Sequence, residues 1–213
     1  MIGISITGDL PQPIEAFLGI PYAQPPVGDL RFRAPAKLAR SDEIIDASKF
    51  GPAAPGEQLS SGNTLTYSED GLTLNVFRKP TTDSQREGLL PVAIYIHGGA
   101  FNRGASSTHK TSSMLASSTE SFVAVTFNYR VGALGFLPSA VSADEGVLNL
   151  GLKDQIILFE WVQENIKKFR GDPDKVTLFG LSAGAHSVSV FSYTMAKILN
   201  LYSKMSSRLA IIS

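Results

Sequence analysis

The chain has 213 residues, 43% of them hydrophobic, enough to bury a sizeable core in one large or two small domains. Its 19 basic and 19 acidic residues cancel, so no global charge directs it to nucleic acid or an anionic membrane. No apolar run approaches the ~20 residues of a membrane span, and the absence of cysteine excludes disulfides, thiolate metal sites and a cysteine nucleophile.

Residues 1–10 lack a basic segment followed by a long apolar one, so no signal peptide is visible there. With no cysteine, the sequence leans to a reducing, cytoplasmic setting over secretion. Pro11, Pro13, Pro21, Pro25, Pro26, Pro35, Pro52 and Pro55 forbid long regular elements in the first ninety or so residues. Short strands joined by ordered loops are expected there. From residue 91 the pattern changes. Residues 92–96 and 122–127 are apolar, β-branched runs suited to strands buried on both faces, with loop and a short helix expected over 106–118.

Residues 151–169 give the surest helix: Leu152, Ile156, Phe159, Val162, Ile166 and Phe169 recur every three or four positions, with Lys153, Glu160, Glu164 and Lys167 on other faces. Strand 122–127, this helix and a strand over 175–179 predict a parallel βαβ unit and an α/β sheet. Trp161, on the helix, reads as packing rather than as a ligand platform.

The last strand runs into Gly180-Leu181-Ser182-Ala183-Gly184, followed by Val188, Phe191, Met195 and Ile198 at helical spacing. Alone, a G-x-S-x-G pentapeptide is a weak signal. Between a strand and a helix it predicts a nucleophile elbow, with glycines where side chains would collide with the neighbouring strand and helix, and Ser182 exposed at the tip. His97-Gly98-Gly99-Ala100, at the end of strand 92–96, reads by itself as a tight turn. With the elbow downstream it reads as a source of backbone N–H groups for an oxyanion.

Further segments extend the pattern: Phe17-Leu18-Gly19-Ile20-Pro21-Tyr22-Ala23 with Pro25-Pro26-Val27-Gly28, Leu30-Arg31-Phe32, Ser68-Glu69-Asp70 with Leu72 and Leu74-Asn75-Val76, Phe101 after the turn, Asn128-Tyr129-Arg130, Gly135-Phe136-Leu137, Asn149 with Gly151-Leu152 and Asp154-Gln155, and Gly171-Asp172-Pro173. In these the chain resembles the amino-terminal part of a type B carboxylesterase, the carboxylesterase and cholinesterase branch of the α/β-hydrolase fold. The resemblance implies an α/β fold with an incomplete, mostly parallel central sheet, residues 1–213 forming the first part of one domain cut at its C-terminal side. Residues 209–213 read as the start of the next core strand. It implies Ser182 as the acyl-ester nucleophile, with the N–H groups of Gly99, Ala100 and Ala183 as the oxyanion hole. The implied partner is a small-molecule or lipid ester, with no metal, no organic cofactor, no nucleic acid and no membrane span. Oligomeric state has no sequence signal.

A serine needs a histidine to take its proton and a carboxylate to orient that histidine, in the order Ser, acid, His for this fold. After Ser182 the chain has no Asp or Glu and only His186, which sits on the helix leaving the elbow. His97 is expected to brace the oxyanion turn and His109, in a Ser/Thr-rich stretch, to be solvated. Loss of a triad histidine costs about six orders of magnitude in turnover, so these residues alone are expected to be inactive. The alternative is a non-catalytic interaction protein or pseudoenzyme on the same fold. The resemblance also implies a cysteine pair across the loop that Ala54 and Gly71 flank, absent here. Leu181 before the serine and the lack of tryptophan over 56–67 do not favour a choline-type cation.

Overall fold

Buried β-branched and aromatic residues lay down a six-stranded sheet within a computed structural model that describes residues 1–57, 65–80 and 88–198, with side chains described up to residue 193. Strands β1 (Ile4–Ile6), β2 (Ile14–Pro21) and β3 (Thr73–Arg78) come from the proline-rich part. Strands β4 (Leu90–Ile96), β5 (Val123–Phe127) and β6 (Gly171–Gly180) follow, and the spatial order is β1-β2-β3-β5-β4-β6. The β5-β4-β6 block is parallel, and β3, β2 and β1 add to it antiparallel in turn, so four of the six strands run the same way.

Among the described residues five α-helices connect or flank them: α1 (Thr111–Ser117), α2 (Gly132–Phe136), α3 (Ala140–Asp144), α4 (Leu150–Asn165) and α5 (Ala183–Ile198). Alternation along the strands splits the core between two faces. Val123, Val125 and Phe127 of β5 face the larger cluster with Leu158, Phe159 and Val162 of α4 and Val188 and Phe191 of α5, whereas Ala124 packs with Leu115 and Ala116 of α1.

Among the described residues the expected strands and helices are present, with three differences of detail. First, the two strands of the expected βαβ unit are parallel but not neighbours, because the α2–α4 crossover passes β4 and delivers β6 to its far side. Second, β6 begins at Gly171, ahead of the expected 175–179, with a register break between Leu90 and Val92 of its partner beside Pro173, which has no N–H to donate. Third, α4 and the turn after it bury the expected face at Phe159, Val162, Ile166 and Phe169, but α4 departs from it in its first half. Ile156 is 37% exposed, while Asp154 and Gln155 are fully buried. Asp154 accepts from the Arg130 guanidinium and backbone, and Gln155 donates to Ser187 Oγ, so buried polar pairing extends the inward face beyond the apolar periodicity.

The α-helix stops at Asn165 and tightens into a 3₁₀ turn over Ile166–Phe169, closed by Arg170 in a left-handed conformation (φ 69°). Trp161 packs on Phe169, ring centroids 6.1 Å apart. The side chains of Met195 and Ile198, and the strand start expected over 209–213, lie outside the described residues.

Candidate active site

Placing β6 beside β4 pairs Ile96 with Gly180, so the two strands end side by side. Open α/β sheets place their sites at such carboxyl ends. One strand hands over to the His97–Ala100 turn, the other to the serine turn.

The serine turn is tight on both sides. A Cβ on Gly180 would stand 2.5 Å from the Gly184 backbone, and one on Gly184 would stand 2.0 Å from the Ile96 carbonyl oxygen. Both contacts are impossible for a side chain, which is the physical content of the two glycines. Ser182 between them is exposed and held at φ 54°, a left-handed conformation an L residue adopts at a cost. Its carbonyl accepts from the His186 N–H at 3.0 Å as α5 begins.

Opposite it, Gly99 (φ 118°), Ala100 (φ 53°) and Phe101 (φ 61°) form three successive left-handed residues. The Gly99 carbonyl accepts from both Asn102 and Arg103 N–H, and Gly132 N–H holds the Phe101 carbonyl at 2.7 Å. A Cβ added at Gly98 would be 3.2 Å from Ser182 Cβ, so the turn lies directly against the elbow. Among the described residues the Gly99 and Ala100 N–H groups have no hydrogen-bond partner, and Ala183 opens α5, where helix geometry leaves the N–H unpaired.

Turn and elbow line one cleft of about 440 Å³, walled also by Glu57, Tyr67, Tyr95, Arg103 and His109. A wider groove of about 570 Å³ around Phe32, Leu137 and Val141 contains neither feature.

His97 is buried and stacked on Tyr129, centroids 4.3 Å apart. Tyr129 OH donates to the His97 carbonyl, and His97 Nδ1 lies 2.9 Å from the Gly98 carbonyl, so the ring does brace the turn. Burial holds it down to about 4, which makes it a poor proton acceptor at neutral pH. His109 is half-buried rather than fully solvated: its ring packs on Tyr95, centroids 4.0 Å apart, and partial burial lowers its pKa. The polar neighbours in sequence give no sign of that packing, because Tyr95 reaches it from β4. His186 is exposed and does not line the cleft.

Where the resemblance implies a cysteine pair, backbone bonds do the joining. Ala53 N–H donates to Thr66 O and Ser68 N–H to Ala53 O, while Gly71 packs within 2.9 Å (as a Cβ) of Pro52 O. Glu57 and Arg103, ion-paired across the cleft, were not readable from sequence, since nothing in their spacing links two loops 46 positions apart. Tyr129 stood inside a matching segment without a role. Among the described residues no group of three or more His, Asp or Glu is placed to hold a metal, and no helix is long and apolar enough to cross a membrane.

The mixed sheet with its parallel block, its crossover past β4 and its serine turn define an α/β-hydrolase fold. The chain belongs to the carboxylesterase family, whose profile matches residues 2–205. It is similar to Secreted lipase 4 of Gibberella zeae, 42% identical over 182 residues, covering 85% of this chain and 32% of that one. It is also similar to the para-nitrobenzyl esterase of Bacillus subtilis, 40% identical over 190 residues, covering 86% and 38%. Among solved structures, a thermophilic PNB esterase superposes with a TM-score of 0.75 at 41% identity, covering 87% of this chain and 38% of that one. The chain thus spans about a third of the length of the curated relatives it matches.

Proposed function

We propose that these residues are the nucleophile-bearing part of a serine carboxylic ester hydrolase. Ser182 Oγ adds to the ester carbonyl carbon, and the carbonyl oxygen becomes an oxyanion facing the N–H groups of Gly99, Ala100 and Ala183. Collapse expels the alcohol, which takes the serine's proton through a general base. Water then releases the acid from the acyl-enzyme. The observation that carries this reading is Ser182 exposed at φ 54° with Gly98 packed against it and Gly99, the first residue of the left-handed turn, lining the same cleft.

Among the described residues none of the three histidines bonds to the Ser182 hydroxyl: His97 is buried and weakly basic, His109 at the cleft wall is stacked on Tyr95 and faces Thr111, and His186 does not line the cleft. Base and acid are therefore assigned to sequence other than these 213 residues, which form the first part of a single catalytic domain. The substrate is a small-molecule or lipid ester. Relatives named as secreted lipases weigh against the lean to the cytoplasm. A scaffold kept only for interaction needs neither a strained exposed serine nor a strained turn beside it.

A fluorophosphonate probe tests this on the full-length protein carrying the sequence. Labelling that disappears in Ser182→Ala is expected; a folded wild-type protein that does not label sinks the proposal.

A further inference from the structure

Three successive left-handed residues do not hold themselves. Ala100 and Phe101 carry side chains that disfavour that conformation, so the turn persists only where its surroundings over-determine it. Two braces come from the body of the fold: Gly132 N–H on Phe101 O, and Tyr129 beneath His97. The third comes from across the cleft. Glu57 N–H donates to Asn102 O at 2.8 Å, Gly56 lies so close that a Cβ there would be 2.3 Å from the same carbonyl oxygen, and the Glu57 carboxylate accepts from Arg103 Nη1. Asn102 and Arg103 are the residues whose N–H groups close the turn onto Gly99 O. Segment 56–57 therefore grips the turn at both donors that shape it.

We propose that Glu57 is a positioning residue: through Arg103 it holds the Gly99–Phe101 turn so that its free N–H groups meet the oxyanion. This rests on the proposed ester-hydrolase reading of Ser182. The two side chains are 54% and 34% exposed, so the pair adds little to stability. Its effect is instead on how completely the turn occupies its strained conformation, and a pair of this exposure is worth at most about fivefold in such a population.

The test uses the full-length protein, a neutral short-chain p-nitrophenyl ester and a trifluoromethyl ketone. Ser182 Oγ adds to the ketone carbon, the C=O electron pair moves to oxygen, and the proton passes to the general base, so its Ki reads oxyanion alignment while KM reads ground-state binding. Glu57→Gln and Arg103→Met are each expected to lower kcat and raise Ki by about three- to fivefold, with KM within twofold and Tm unchanged. Arg103→Lys should keep most of the wild-type values, and the double variant should be no worse than either single one.

Opposite effects of Glu57→Gln and Arg103→Met would mean that the pair acts through its charges on the oxyanion, and would overturn the proposal. So would losses that multiply in the double variant, losses that track Tm, or variants indistinguishable from wild type. If the wild type labels with fluorophosphonate and the variants behave like it, this inference alone falls. If the wild type does not label, the function proposal falls and takes this one with it.

Discussion

Ala100, Phe101 and Ser182 each hold a left-handed backbone, at about 1–2 kcal/mol apiece for a residue with a Cβ. All three lie where the turn meets the elbow, so half of the six non-glycine left-handed residues among those described sit at the site, with Phe32, Asn149 and Arg170 elsewhere. His97 supports it from below and has a consequence for stability. The ordinary histidine value is ~6.5, and burial holds this one at about 4. Between those values the unfolded chain is protonated and the folded chain is not, so the unfolded state binds more protons. Stability is therefore fully present above about pH 6.5 and falls as the pH drops toward 4, by roughly 3 kcal/mol across that window. Urea titrations from pH 7 to pH 4.5 should show a shallower pH slope in His97→Gln than in the wild type; equal slopes would contradict this assignment. At this scale the elbow glycines were legible because their reason is local. The stacking of His109 was not, because its partner sits on a strand.

Between elements, the contact that sets the elbow is β4 against the start of α5. Gly184 has no room for a methyl group, since a Cβ would sit 2.0 Å from Ile96 O, a backbone atom that cannot swing away. Gly184→Ala is expected to cost about 3 kcal/mol in chemical denaturation, at the upper end for an overpacked site, and to lower labelling of Ser182 with it. A loss below ~0.5 kcal/mol would show that the helix start can move and that the elbow is not fixed by this contact. The strands β4 and β5 were readable to within a residue or two because both are continuous apolar runs. The inward face of α4 and the turn after it was legible at Phe159, Val162, Ile166 and Phe169, but not at Asp154 and Gln155, which are buried for their hydrogen bonds, something hydropathy cannot register.

Across the molecule, the Arg130–Asp154 pair ties the loop after β5 to α4, and Arg130 Nη1 donates to Arg33 O in the proline-rich part. The two side chains are 4% and 0% exposed, so removing one partner strands a buried charge. Arg130→Met should cost about 3–5 kcal/mol, and Arg130→Met with Asp154→Leu should recover most of it; equal losses in the single and double variants would contradict that. The class of fold was legible from the alternation of strand and helix signals. The strand order was not, because a crossover that passes over β4 leaves no mark on the residues that make it. That unseen step sets the His97–Ala100 turn beside Ser182, and the proposed function rests on their meeting. The most direct check is to mix the full-length protein with p-nitrophenyl acetate, quench in acid and measure the mass of the peptide containing Ser182. One added acetyl group on that peptide, absent in Ser182→Ala, is the expected result. Ester turnover by a folded protein that survives Ser182→Ala, or acetyl on another residue, would contradict the account.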